Sequence, residues 1–148
     1  MRVTGVDKPR VLRRARQRGA IDLAEPNLAK AVNHADLVIL ASPTAKILQL
    51  LPAVAKHLLP TTVVTDVGSV KSEIVRKAGK LFPRGNFVGG HPMAGVEFSG
   101  IDAAHPLLFE NAVYVLTSTT RTKRAHLKHL STFLQTLGAR VMFMNAET

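Results

Sequence analysis

The chain has 148 residues, 46% of them hydrophobic, with no cysteine, no tryptophan, a single tyrosine and a formal net charge of +10. That is apolar material for one domain with one core, and the lack of cysteine excludes disulfides, thiolate metal sites and a cysteine nucleophile. No stretch of about 18 apolar residues is free of charge, and residues 1–7 read as a strand rather than a signal sequence, so a soluble, cytoplasmic protein with no membrane partner is expected.

The positive charge falls in two groups, Arg10, Arg13, Arg14, Arg16 and Arg18 near the start and Arg121, Lys123, Arg124 and Lys128 later. Both lie on segments whose other residues have helical spacing, and no run interleaves basic with aromatic side chains for base stacking. Solvated helix faces account for them better than nucleic acid does. A basic nucleic-acid-binding domain stays as an alternative, to be separated by a steep salt dependence of affinity.

In chain order, Val3-Thr4-Gly5-Val6 is a short strand ending at Asp7, and Pro9 suits the first position of a helix that runs to about Arg18 and stops at Gly19. A polar connection leads to a short helix over residues 28–34. Leu37-Val38-Ile39-Leu40-Ala41 is a continuous apolar run, the pattern of a strand buried on both faces. Ser42-Pro43 ends it, and Ile47, Leu48, Leu51, Val54, Ala55 and Leu58 form a helix stripe closed by Pro60.

The same unit then repeats, with Val63-Val64-Thr65 as strand, Asp66-Val67-Gly68-Ser69 as turn, and Ile74, Val75, Ala78 and Leu81 as the next stripe. Phe87-Val88 is a strand leading into a loop that carries His91. Residues 95–111 are irregular apart from a helical turn near 101–104. Residues 113–117 follow as strand, Leu127, Leu130, Phe133, Leu134 and Leu137 as helix stripe, Gly138 as its stop, and Val141-Met142-Phe143 as the last strand.

Strands alternating with helices of roughly 10–15 residues specify an α/β fold, a mostly parallel, doubly wound sheet covered on both faces. Ligands in such folds bind beyond the carboxyl ends of the strands, where Asp7, Ser42, Asp66 with Ser69, and His91 all fall. In Gly89-Gly90-His91-Pro92-Met93-Ala94-Gly95, glycines let backbone approach a bound molecule and Pro92 fixes φ beside the imidazole, which suits a histidine that takes a proton from a hydroxyl. Gly90 and Gly95 also have the spacing of a phosphate-binding loop, but Val96-Glu97 stand where lysine and a hydroxyl are required. Plainer roles are open for each: His91 as a surface or hydrogen-bonded structural residue, Asp7 and Ser69 as helix caps, Glu97 as a solvated carboxylate. Lys71, in the first turn of a helix, opposes the helix dipole and hints at an anionic partner.

Three stretches in order, Ala35-Asp36-Leu37-Val38-Ile39-Leu40-Ala41-Ser42-Pro43, Thr65-Asp66-Val67-Gly68-Ser69-Val70-Lys71 and Gly89-Gly90-His91-Pro92-Met93-Ala94-Gly95, resemble the nucleotide-binding domain of prephenate and arogenate dehydrogenases. Leu108-Phe109-Glu110-Asn111-Ala112 and Val115-Leu116-Thr117 extend the resemblance over nearly the whole chain. It implies a Rossmann-like fold and an NAD-dependent oxidative decarboxylation of prephenate or arogenate in tyrosine biosynthesis, with a homodimer in the full-length family and no metal. His91 matches the family's catalytic histidine, Ser69 the serine that orients the histidine and the substrate hydroxyl, and Glu97 a position near the substrate side chain. Asp7 matches the ribose-binding acid and favours NAD, since a carboxylate repels a 2′-phosphate; Lys8 and Arg10 beside it leave NADP open. Ser42, Pro43 and Asp66 join Asp7 as the cofactor-binding group.

Two features depart from the family pattern. No G-x-G-x-x-G occurs anywhere in the chain, and Met1 falls where the second strand of that fold begins. Residues 1–148 are therefore expected to form an N-terminally shortened domain without the family's C-terminal helical domain, with Val3–Val6 separated from the remaining sheet and strand edges left unpaired. Weak NAD binding and little turnover follow. A non-catalytic remnant or binding module of the same fold is the alternative.

Overall fold

Apolar residues that recur at helical spacing in the sequence close over the two faces of one sheet. The computed structural model describes residues 1–95 and 100–145. Its elements are β1 (Thr4–Gly5), α1 (Pro9–Gln17), β2 (Leu23–Ala24), α2 (Leu28–Val32), β3 (Leu37–Leu40), α3 (Thr44–His57), β4 (Val63–Asp66), α4 (Lys71–Leu81), β5 (Phe87–Pro92), a 3-10 turn (Ile101–Ala103), β6 (Val113–Ser118), α5 (Arg124–Thr136) and β7 (Arg140–Phe143). Five strands form one sheet in the order β3-β4-β5-β6-β7, parallel except for the antiparallel β5–β6 pair. β1 and β2 pair with each other in a second, two-stranded parallel sheet.

Alternation along the strands sends successive side chains to opposite faces. Val64 and Phe87 pack with Ile47, Leu51 and Val54 of α3 and Ile74 and Ala78 of α4 on one face. Val63, Val88, Tyr114 and Leu116 pack with Leu130 and Leu134 of α5 on the other. The sheet is thus mostly parallel and covered on both sides, as the alternating pattern requires. Gly138, at φ +82°, stops α5 at its expected place.

Several expectations change. Residues 20–27, read as a polar connection, contain β2, whose Leu23 and Ala24 pair with Thr4 and Gly5. The second helix ends at Val32 rather than His34. The run from Leu37 to Ala41 is not buried on both faces, since Ile39 is 46% exposed. β3 is an edge of the five-stranded sheet: Leu40 and Val38 lie under the α3 and α4 layer, while Ile39 points to the face where α5 covers the more central strands. The expected separation of the first strand from the main sheet is observed.

The N-terminal unit is tied to the rest at α1. Arg14 Nε donates to Asp102 Oδ1 at 2.8 Å and Arg18 Nη2 to the Ala104 carbonyl at 3.0 Å. The Arg14 guanidinium holds the Asp102 carboxyl below the usual carboxylate range. These groups are well solvated, so the ties orient α1 more than they stabilise it.

Candidate active site

β3, β4 and β5 are neighbours, so their carboxyl ends bring Ser42-Pro43, Val67-Gly68-Ser69 and His91 to one rim of the sheet. Helices α3 and α4 start from the same rim, and neither has a side-chain cap on its first-turn N–H groups. Such an end carries partial positive charge from the unpaired donors.

Behind the rim lies a charged knot. Asp66, the last residue of β4, is 0% exposed, and its carboxylate accepts from Gly68 N–H at 2.8 Å, from Gly90 N–H at 3.2 Å and from the Lys71 ammonium. Lys71 Nζ also donates to the Gly90 carbonyl at 2.5 Å. Burial pulls the Lys71 ammonium below the ordinary lysine range, against the opposing pull of Asp66. On the far side of the strand the buried Tyr114 phenol is pushed up to about 12, first by burial and then by the Asp66 charge.

The anionic partner anticipated for Lys71 is therefore the chain's own Asp66. Asp66 itself was expected beside the cofactor and as the start of a turn. It is the last residue of β4, and both of its carboxylate oxygens are bonded inside the protein.

His91 is a strand residue, not a loop residue: β5 continues through Pro92, and His91 pairs with Val115 of β6. Its neighbours Gly89 and Gly90 have no positive φ. The space freed by their missing side chains is filled by the protein itself. A methyl group at Gly90 would meet the Asp66 carbonyl oxygen at 2.5 Å, and one at Gly89 would meet Lys71 Cδ at 3.0 Å. The His91 side chain is half-buried, and its Nδ1 is buried with no hydrogen-bond partner among the described residues. A buried, unpaired polar atom costs about 1–3 kcal/mol, which marks it for a functional explanation.

The remaining expected residues divide. Ser42 is half-buried and Pro43 exposed at the start of α3. Ser69 is exposed but does not cap α4, whose cap position is Val70 with no side-chain bond, and no hydrogen bond joins Ser69 to His91 among the described residues. Asp7 lies apart from these, just beyond β1 in the two-stranded sheet. It does not cap α1, whose cap position is Lys8; its Oδ1 accepts from Lys8 N–H at 2.6 Å, leaving the carboxylate exposed. Glu97 lies outside the described residues. Among the described residues no three histidine, cysteine or acidic side chains gather as a metal site, and no helix is long and apolar enough to cross a membrane.

An open recess of about 400 Å³, lined by Leu116, Ser118, Leu127, Phe143, Met144 and Asn145, sits at the opposite end of the sheet and holds no titratable side chain. The rim that carries His91 is the chemically equipped end.

The nucleotide-binding-domain model of prephenate dehydrogenase matches residues 1–143. The chain belongs to this family. It is 44% identical over 131 residues to the prephenate dehydrogenase of Lactococcus lactis subsp. cremoris, an alignment covering 86% of this chain and 37% of that protein. Among solved structures, Synechocystis arogenate dehydrogenase superposes with a TM-score of 0.92 at 37% identity, covering 98% of this chain and 51% of that one. The prephenate dehydrogenase of Aquifex aeolicus in complex with hydroxyphenyl propionate and NAD+ also superposes with a TM-score of 0.92, at 31% identity, covering 99% and 51%. The chain thus spans about half the length of these solved family members, and the family's Rossmann-like fold is the one described above.

Proposed function

We propose that residues 1–148 are the nucleotide-binding domain of a cytoplasmic, homodimeric dehydrogenase that oxidises and decarboxylates prephenate or arogenate with NAD in tyrosine biosynthesis. The observation that carries this reading is His91: a half-buried imidazole at the carboxyl end of a central strand, with no partner for its Nδ1 among the described residues.

The residues present supply part of a dinucleotide site, without the G-x-G-x-x-G turn that would hold the pyrophosphate. Asp7 offers a free carboxylate to ribose hydroxyls, and α3 offers uncapped N–H donors behind Ser42 and Pro43. NAD, when bound, supplies the acceptor for the hydride that leaves the ring carbon bearing the substrate hydroxyl. His91 takes the proton of that hydroxyl as the carbonyl forms, and loss of the ring carboxylate as carbon dioxide leaves an aromatic ring. Since Nδ1 is buried, Nε2 is the nitrogen that faces the substrate. Ser69, exposed at the same rim, orients the substrate hydroxyl, and Glu97 serves the substrate side chain.

The test is turnover of prephenate and arogenate with NAD by this chain joined to the remainder of a family enzyme. His91→Asn is expected to lower turnover by about 10²–10⁴-fold, the usual worth of a general base, while NAD affinity stays near that of the parent. Equal loss of turnover and NAD binding, or a parent protein without turnover on either substrate, would overturn the assignment.

A further inference from the structure

We propose that Lys71 is a positioning residue: together with Asp66 it grips both backbone polar groups of Gly90 and so sets the place of the imidazole on the next residue, His91. The proposal rests on the reading of His91 given above.

Three observations carry it. Both handles of Gly90 are held by this one ion pair, the N–H by Asp66 Oδ1 at 3.2 Å and the C=O by Lys71 Nζ at 2.5 Å. The route is cleared by glycine, because a side chain at Gly89 would strike the Lys71 stem at 3.0 Å. Among the described residues the imidazole has no hydrogen bond of its own, its Nδ1 being unpartnered, and the His91 backbone is otherwise held by its pairing with Val115 of β6. A ring without a hydrogen bond of its own takes its location from the backbone beneath it.

The same knot holds the turn that presents Ser69, since Asp66 Oδ2 accepts from Gly68 N–H at 2.8 Å. One buried pair therefore sets two strand ends against each other. A reacting hydroxyl placed between Ser69 and His91 would be gripped from both through a single internal cation. A misplacement of about 1 Å at such a centre costs on the order of 10²-fold in rate.

A lysine that only neutralised Asp66 would make a different prediction. Lys71→Met leaves Asp66 buried without its counter-charge, and a loss of folding there would not separate the two roles. The paired variant Asp66→Asn with Lys71→Met removes both charges and keeps one acceptor oxygen, for the N–H of Gly68 or for that of Gly90 but not for both. Lys71→Arg restores the charge and a donor on a longer, wider group.

The experiment records NMR spectra of isotope-labelled parent and variant chains, with the His91 ring signals assigned by their disappearance in His91→Asn. Thermal unfolding is measured alongside. In the paired variant, a regained cooperative melt together with displaced or broadened His91 signals and a displaced Gly90 carbonyl signal is expected; Lys71→Arg moves these signals partly back. Parent-like His91 signals in the folded paired variant overturn the proposal.

If the paired variant does not fold, the parent itself decides. On alkaline titration the Gly90 carbonyl and His91 ring signals are expected to move in step with loss of the Lys71 ammonium proton, and their indifference to it overturns the proposal. None of these signals depends on turnover, so an inactive enzyme with a Lys71-dependent His91 would remove the functional reading and leave the positioning role standing.

Discussion

Alanine at Gly90 probes the packing on which the rim depends. A methyl group there would sit 2.5 Å from the Asp66 carbonyl oxygen, 2.8 Å from Thr65 Oγ1 and 3.0 Å from Tyr114 Cε1. Ordinary contact begins at 3.4 Å, so relief requires 3.4 − 2.5 = 0.9 Å of separation from backbone on β4. The carbonyl cannot rotate away, and the Tyr114 ring is 3% exposed and enclosed. Overpacking costs about 1–3 kcal/mol, and this site belongs at the upper end. At about 2–4 °C per kcal/mol for a domain of this size, the melting temperature falls by about 6–12 °C. Gly89→Ala, whose nearest contact is the flexible Lys71 stem at 3.0 Å with the Thr117 carbonyl oxygen and Val75 Cγ2 at 3.2 Å, should lose less. Gly95→Ala, with nothing within 4 Å among the described residues, should melt like the parent. Far-ultraviolet circular dichroism of the three variants gives the ranking. A Gly90→Ala protein that melts with Gly95→Ala would refute the close approach of β4 and β5 and, with it, the account of why glycines precede His91.

Two further outcomes are expected. Tyr114 is the only tyrosine and there is no tryptophan, so tyrosinate absorbance reports it alone; its midpoint should lie at about 12 rather than 10. An unfolded chain loses the phenolic proton first as pH rises, so this group's contribution is whole below pH 10 and is lost through pH 12, about 3 kcal/mol in all. A midpoint near 10 in the folded protein would contradict the burial of the ring beside Asp66. Pro52, exposed in the interior of α3, withholds an N–H from the Leu48 carbonyl; Pro52→Ala should raise stability by up to about 3 kcal/mol in denaturant titration, and a neutral or destabilising result would mean that α3 depends on the proline ring.

The layers were legible because Ile47, Leu51 and Val54, and likewise Leu130 and Leu134, keep a period that only a helix lying on a sheet satisfies. His91 was legible as a candidate, but its setting was not. Gly89-Gly90 reads locally as a break in a strand, whereas pairing with residues 115–117, distant in sequence, keeps β5 extended through it. β2 has only two residues and no apolar run of its own; its pairing with β1 depends on chain packing. The destination of the Lys71 ammonium lay five residues back at Asp66, a distance over which a strand end and a helix start must first be folded against each other. The composition and order of the motif announced a charged pair only weakly, and the backbone of Gly90, which it holds, carries no side-chain signal at all.

The outer ladder of β3 has consequences for handling the protein. Leu37 to Leu40 present one row of amide donors and acceptors with no strand beside them among the described residues, and Ile39 stands beside that row 46% exposed. An extended segment from any source, including another molecule in the tube, finds there a ready template. The apparent robustness of this domain in solution should therefore rise or fall with what else is present and how concentrated it is, so its melting behaviour has meaning only at a stated dilution.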